Sequence, residues 1–125
     1  MKLKLAILLW GASPDQPHLC ATPFFHAAAA AAMDVEVEIY FTSKSVLLLV
    51  PGAAANLYAG KNRDMSIYEH MCQAAAHGVK FFACSDAMAA HGVDPAKLIE
   101  EYSGVGGAAA FMGRVLDETW STLSY

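Results

Sequence analysis

Along this chain the hydrophobic period changes several times, and each change marks an element. Lys2–Trp10 begins in alternation (Lys-Leu-Lys-Leu) and then becomes a continuous apolar run, the pattern of a strand buried on both faces. Gly11, Pro14 and Pro17 break the run into a loop, which is expected to be mobile and to gate a site at the strand's C-terminal end. The six alanines Ala27–Ala32 predict a helix over 20–33, since alanine is the best helix former. In Asp34–Thr42, Val35, Val37, Ile39 and Phe41 alternate with Glu36, Glu38 and Tyr40. That alternation predicts a strand, and its polar face places the strand at or near a sheet edge.

The segment from Ser43 to Val50 fits a short helix or turn, although Val46–Val50 also fits a strand; Pro51-Gly52 ends it either way. Ala53–Asp64 reads as an irregular loop. Met65–His77 reads as a helix with Ile67, Met71 and Ala74 on one face and Gly78 at its end. Val79–Ala83 is a short apolar strand. Asp86–His91 is a short helix stopped by Gly92. Asp94-Pro95 opens a further helix running to Tyr102. Ser103–Gly107 leads into Ala108–Met112, a strand or a strand–helix junction, and Gly113–Glu118 reads as a last short helix. Trp120–Tyr125 alternates aromatic and hydroxyl residues as a final strand. Strands alternating with helices predict an α/β fold: a single domain over residues 1–125, a three-layer sandwich with a mostly parallel sheet of four or five strands.

Composition narrows what such a domain does. Hydrophobic residues make up 56% and charged residues 16% of the chain, which predicts apolar surface left over for self-association. The net charge is -4 with no basic run, so no nucleic-acid partner is expected. The apolar start is too short to span a membrane and lacks an Ala-x-Ala cleavage site, so neither a membrane span nor a signal peptide is expected. Three cysteines without regular spacing predict neither disulfides nor a metal site, and a cytoplasmic location is the simplest fit. No Gly-rich phosphate loop occurs, and no cofactor is expected.

The candidate chemistry centres on Cys84, at the join between strand 79–83 and helix 86–91. Ser85 or Asp86 is expected to cap that helix, with the sulfur beside its first N–H groups, where an anion is favoured. The thiolate is the reactive form of cysteine, so a nucleophilic or sulfur-carrying Cys84 is one reading. A small buried hydrophobe at a strand end is the other. His18 and Cys20 follow the first loop and can approach Cys84 as base and second thiol. Asp86 can orient the site or serve only as a cap. His91 sits two turns beyond Cys84 and can act there or cap the helix end. Cys72 reads as core, and Tyr40, Tyr58 and Tyr68 as packing residues that can also line a pocket.

The stretch Val79-Lys-Phe-Phe-Ala-Cys, followed after seven residues by Gly92-Val93, resembles the DsrE/DsrF-like sulfur-relay proteins. An early strand and loop, an Ala-rich first helix, an acidic second strand and a short terminal strand extend the resemblance over most of the chain. It implies a small α/β subunit that carries sulfane sulfur as a persulfide on Cys84, exchanging it with donor and acceptor proteins of a sulfur relay. It also implies a trimer or hexamer, a number that composition alone does not supply. Relay subunits often carry arginines just before the glycine, where this chain has Ala90-His91, and this leaves donor and acceptor open. A non-enzymatic ligand-binding or scaffold protein of the same fold is the alternative.

Overall fold

The structure, a computed structural model, describes residues 3–125. Lys2, the start of the expected first strand, lies outside them. Five strands are present: β1 (Lys4–Leu9), β2 (Glu36–Phe41), β3 (Lys80–Ala83), β4 (Tyr102–Val105) and β5 (Trp120–Ser124). Four α-helices connect or follow them: α1 (Ala21–Ala32), α2 (Ile67–Ala76), α3 (Ser85–Ala90) and α4 (Ala108–Val115). Two 3₁₀ segments, Pro17–Leu19 and Ser43–Leu49, complete the order. The strands form one all-parallel sheet in the order β4-β3-β2-β1-β5. This is the expected α/β architecture at the upper end of the expected strand number.

Alternation along the strands divides the side chains between two faces. Ile7, Leu9, Val37, Ile39, Phe41, Phe81 and Ala83 point to the face covered by α1 and α2, where most of the core lies. Phe24 of α1 sits among Phe41 and Phe81, with ring centroids 6.1 and 5.9 Å away. The α1 alanines keep their own bulk small, and α1 lies against α2 as well as β2. Ser66 caps α2 through its side chain, which accepts the Glu69 N–H at 3.1 Å. The second face carries a smaller cluster of Ala6, Tyr40 and Trp120 with Leu8, Phe82 and Phe111, under α4 alone.

Four expectations are corrected. β2 is not at an edge; it lies between β1 and β3, with Glu38 and Tyr40 buried. Its polar residues are accommodated rather than solvated. Arg114 of α4 donates from Nε and Nη2 to the two Glu38 carboxylate oxygens at 2.9 and 3.2 Å, and the Tyr40 hydroxyl donates to Oε1 at 2.7 Å. The Arg114 guanidinium also lies 4.2 Å from the Trp120 ring centre. A buried carboxylate is tolerable when it is paired and hydrogen-bonded in this way.

The expected helix from Asp94 to Tyr102 is absent. Asp94 instead accepts the Ala96 N–H on its side chain and the Lys97 N–H on its carbonyl, a local turn that competes with helix. Ile99 then enters the core, its N–H donating to Leu49 O at 3.0 Å, and the chain runs directly into β4. Downstream, Ala108–Met112 and the residues to Val115 form one helix, so the two elements expected there are the single α4. The loop after β1 is also more structured than its prolines suggest. Pro17–Leu19 forms a 3₁₀ turn, and Ala12 and Ser13 are buried.

Candidate functional site

The C-terminal ends of β1, β2, β3 and β4 meet at one edge of the sheet, where ligands gather in parallel α/β proteins. A cavity of about 280 Å³ lies there, lined by strand-end residues Leu8, Tyr40, Phe41 and Thr42, by Cys84, and by Gly106–Ala108, Phe111 and Met112 from the start of α4. Its walls are almost wholly apolar. Cys84 is half-buried, immediately after β3, and its N–H donates to Phe41 O at 3.0 Å. That bond extends the β2–β3 ladder by one residue and fixes the Cα from which the sulfur projects.

The local sequence explains why the wall closes around this sulfur. Gly106 donates its N–H to Ala83 O at 2.9 Å, drawing the β4–α4 junction against the end of β3. A Cβ at Gly106 would stand 2.9 Å from Phe82 Cβ and 3.0 Å from Tyr40 Cε1, so only glycine fits there without displacement. A Cβ at Gly107 would lie 3.8 Å from the Cys84 sulfur. Gly107 thus leaves open the space directly beside Sγ. Tyr40 and Phe111 meet edge to face, with centroids 5.5 Å apart, and join the cavity wall to the sheet.

The other candidate residues are distributed differently. Cys84 itself, rather than Ser85 or Asp86, occupies the N-cap position of α3, without a side-chain capping hydrogen bond. Ser85 and Asp86 are exposed in the first turn, and His91 is the C-cap, its N–H donating to Ala87 O while the Gly92 N–H donates to Ala89 O. None of these three lines the cavity. His18 lines a separate cavity with Gly11, Ala12, Leu19, Thr22 and Tyr125. Cys20 lies in the core on the α1 side, and its Sγ donates to Ser13 O at 3.3 Å. Burial pushes the Cys20 thiol up to about 11, against the smaller opposing effect of that hydrogen bond. Cys72 is half-buried on α2, and desolvation raises its thiol as well.

The chain after β1 crosses to the α1 face, whereas the Cys84 cavity belongs with Leu8, Tyr40 and Phe111 on the α4 face. For that reason the structure does not bring His18 or Cys20 to Cys84. No residue of Gly11–Leu19 lines the cavity, so the expected gating loop lies elsewhere: Asp15 is tied to Lys44 at 3.1 Å and Gly11 to the Tyr125 carbonyl. Gly106, Gly107, Phe111 and Met112 are the contributors that sequence reasoning missed. The Gly-Gly pair before an alanine run was the available signal. Of the three tyrosines, Tyr40 lines this cavity, while Tyr58 stacks under Arg63 and the Tyr68 hydroxyl donates to Glu101. Among the described residues no group of three or more metal-ligating side chains occurs, and no helix is long and apolar enough to cross a membrane.

A parallel sheet of this order, with a cysteine at the end of its third strand, defines a small α/β protein with a thiol in a strand-edge cavity. The model of the DsrE/DsrF-like family matches residues 4–118, and the chain belongs to that family. Two solved structures are similar over essentially the whole chain. One is a protein of unknown function, MTH1491 from Methanobacterium thermoautotrophicum: 19% identical, TM-score 0.69, covering 99% of this chain and 100% of that one. The other is the ychN protein from E. coli: 13% identical, TM-score 0.72, covering 100% of both chains. At these identities the likeness concerns the fold. No curated protein matches the chain.

Proposed function

We propose that this protein is a sulfur carrier that holds sulfane sulfur as a persulfide on Cys84 and passes it to a partner thiol. Family membership is consistent with sulfur relay. The observation that supports the assignment to Cys84 is its place in the cavity wall, at the sheet edge, with open space beside Sγ. Cys20 is enclosed and hydrogen-bonded, and Cys72 lies on a helix away from the cavity.

The chemistry is an exchange without net oxidation. The Cys84 thiolate attacks the outer sulfur of a donor persulfide; a new S–S bond forms at Cys84 as the donor's S–S bond breaks, and the donor leaves as a thiolate. An acceptor thiolate then attacks the outer sulfur, and Cys84 leaves in its turn. Apolar walls keep water and stray nucleophiles from the bound sulfur between the two steps. The test is intact-protein mass after incubation with polysulfide. One added sulfur, about 32 mass units removable by a thiol reductant, is expected. A chain that never gains this mass under conditions that load an established carrier has another role. The cavity is larger than one sulfur requires, which favours non-covalent binding of a small apolar ligand as the second reading.

We also propose that the carrier is a homo-oligomer, a trimer or hexamer as in relatives of this family. No residue of α4 is buried, and Val105, Met112, Val115 and Leu116 form exposed apolar surface along it. Light scattering at micromolar concentration is expected to report a multiple of the 13.3 kDa chain; a monomer would reject the proposal.

A further inference from the structure

The Cys84 cavity carries information about what delivers the sulfur. We infer that the donor to Cys84 is a small organic persulfide, R–S–SH, whose uncharged apolar group R fills the cavity. This inference rests on Cys84 as the exchanging thiol and adds the chemical class of its donor.

Volume is the first argument. A cavity of about 280 Å³ is far larger than the roughly 30 Å³ share of a water molecule in the liquid, and so larger than a single added sulfur needs. It approaches the lower end of small-molecule sites, which begin at about 300 Å³.

Charge is the second argument. No lysine, arginine, histidine, aspartate or glutamate lines the cavity. The ion pair that the cavity residue Tyr40 joins is already satisfied: Arg114 uses two donors on Glu38, and the Tyr40 hydroxyl is bonded to the same carboxylate. A donor carrying carboxylates would lose hydration in this space and find no cation in return, an unfavourable transfer.

Shape is the third argument. The missing side chain at Gly107 leaves room directly against Sγ, and Tyr40, Phe111 and Met112 offer aromatic and thioether surface to an apolar group. In the exchange, the Cys84 thiolate attacks the outer sulfur of R–S–SH, the Cys84–S bond forms as the donor's S–S bond breaks, and R–S leaves as its thiolate. No external oxidant enters.

Two disulfide reagents test the charge argument. In the full chain carrying Cys20→Ser and Cys72→Ser, Cys84 is reacted separately with 4,4′-dithiodipyridine, which is uncharged, and 5,5′-dithiobis(2-nitrobenzoate), which is dianionic. The ratio of the two rate constants is divided by the same ratio for N-acetylcysteinamide, a free uncharged thiol. A quotient of about ten in favour of the uncharged reagent is expected from the cost of desolvating an unpaired carboxylate. A quotient at or below one overturns the inference.

A second variant tests the space itself. Gly107→Val should slow dithiodipyridine more than methyl methanethiosulfonate, which adds only a methylthio group. Equal slowing of both reagents would show that the cavity does not seat the donor. Failure of both polysulfide and an alkyl persulfide with an uncharged alkyl group to load Cys84 would remove the carrier reading, whereas a quotient at or below one with normal loading would remove only the donor class.

Discussion

Phe24→Ala is expected to lower the unfolding free energy by roughly 3–5 kcal/mol, the usual cost of truncating a buried phenylalanine. Phe24 is 1% exposed and is the one large side chain among the four buried residues of α1, which are Ala21, Pro23, Phe24 and Ala27. An alanine-rich helix folds readily but has little to bury, so its attachment to the sheet depends on this ring. The ring meets Phe41 and Phe81, which precede the cavity residues Thr42 and Cys84 by one and three positions. A natural domain has only about 5–15 kcal/mol of stability, so the variant should be marginal. Phe25→Ala next to it, at a residue 54% exposed, should cost less than about 1 kcal/mol. Urea unfolding checks the pair, and equal losses would contradict the account of how α1 is anchored.

Gly106→Val is expected to cost about 1–3 kcal/mol and to open the Cys84 cavity. The new Cβ alone would stand 2.9 Å from Phe82 Cβ and 3.0 Å from Tyr40 Cε1. Phe82 Cβ is fixed to the β3 backbone, and Tyr40 is held by its bond to Glu38, so neither yields as a flexible side-chain end does. The β4–α4 junction must move instead, carrying Gly107, Phe111 and Met112 away from the sulfur. Gly113→Ala provides the contrast. It lies within α4, has nothing within 4 Å of its Cβ position, and should stabilise the helix by roughly 0.5–1 kcal/mol. Thermal unfolding with the alkylation rate of Cys84 checks both. A Gly106→Val protein with unchanged melting and unchanged Cys84 reactivity would contradict this reading of the junction.

Much of this architecture was legible in local pattern. The apolar run of β1, the alanines of α1 and the strand-to-helix change around Cys84 each follow from one short stretch with one period. What could not be read depends on partners distant in sequence. Alternation in β2 suggested a solvated face because nothing nearby indicates that Arg114, 76 residues later, neutralises Glu38. Asp94-Pro95 has the signature of a helix start, yet the pull of Ile99 into the core and its bond to Leu49 override it.

The site was legible only in part, for the same reason. Cys84 and its strand end lie on one continuous motif. The opposite wall comes from Gly106–Met112, whose glycines acquire meaning only when Phe82, Tyr40 and the Cys84 sulfur are placed beside them. His18 and Cys20 looked close because they follow the same sheet edge in sequence order. Which face of the sheet a loop crosses to is set by helix packing, and that packing sends them to the α1 side.

The central claim is that Cys84 alone bears transferable sulfur, and one mass measurement addresses it directly. A Cys20→Ser/Cys72→Ser protein and a Cys84→Ser protein are treated with polysulfide side by side, and their intact masses are read before and after a thiol reductant. The account predicts that the first gains one sulfur, about 32 mass units, and loses it on reduction, while the second gains none. Loading of the Cys84→Ser protein to the level of the wild type would contradict it.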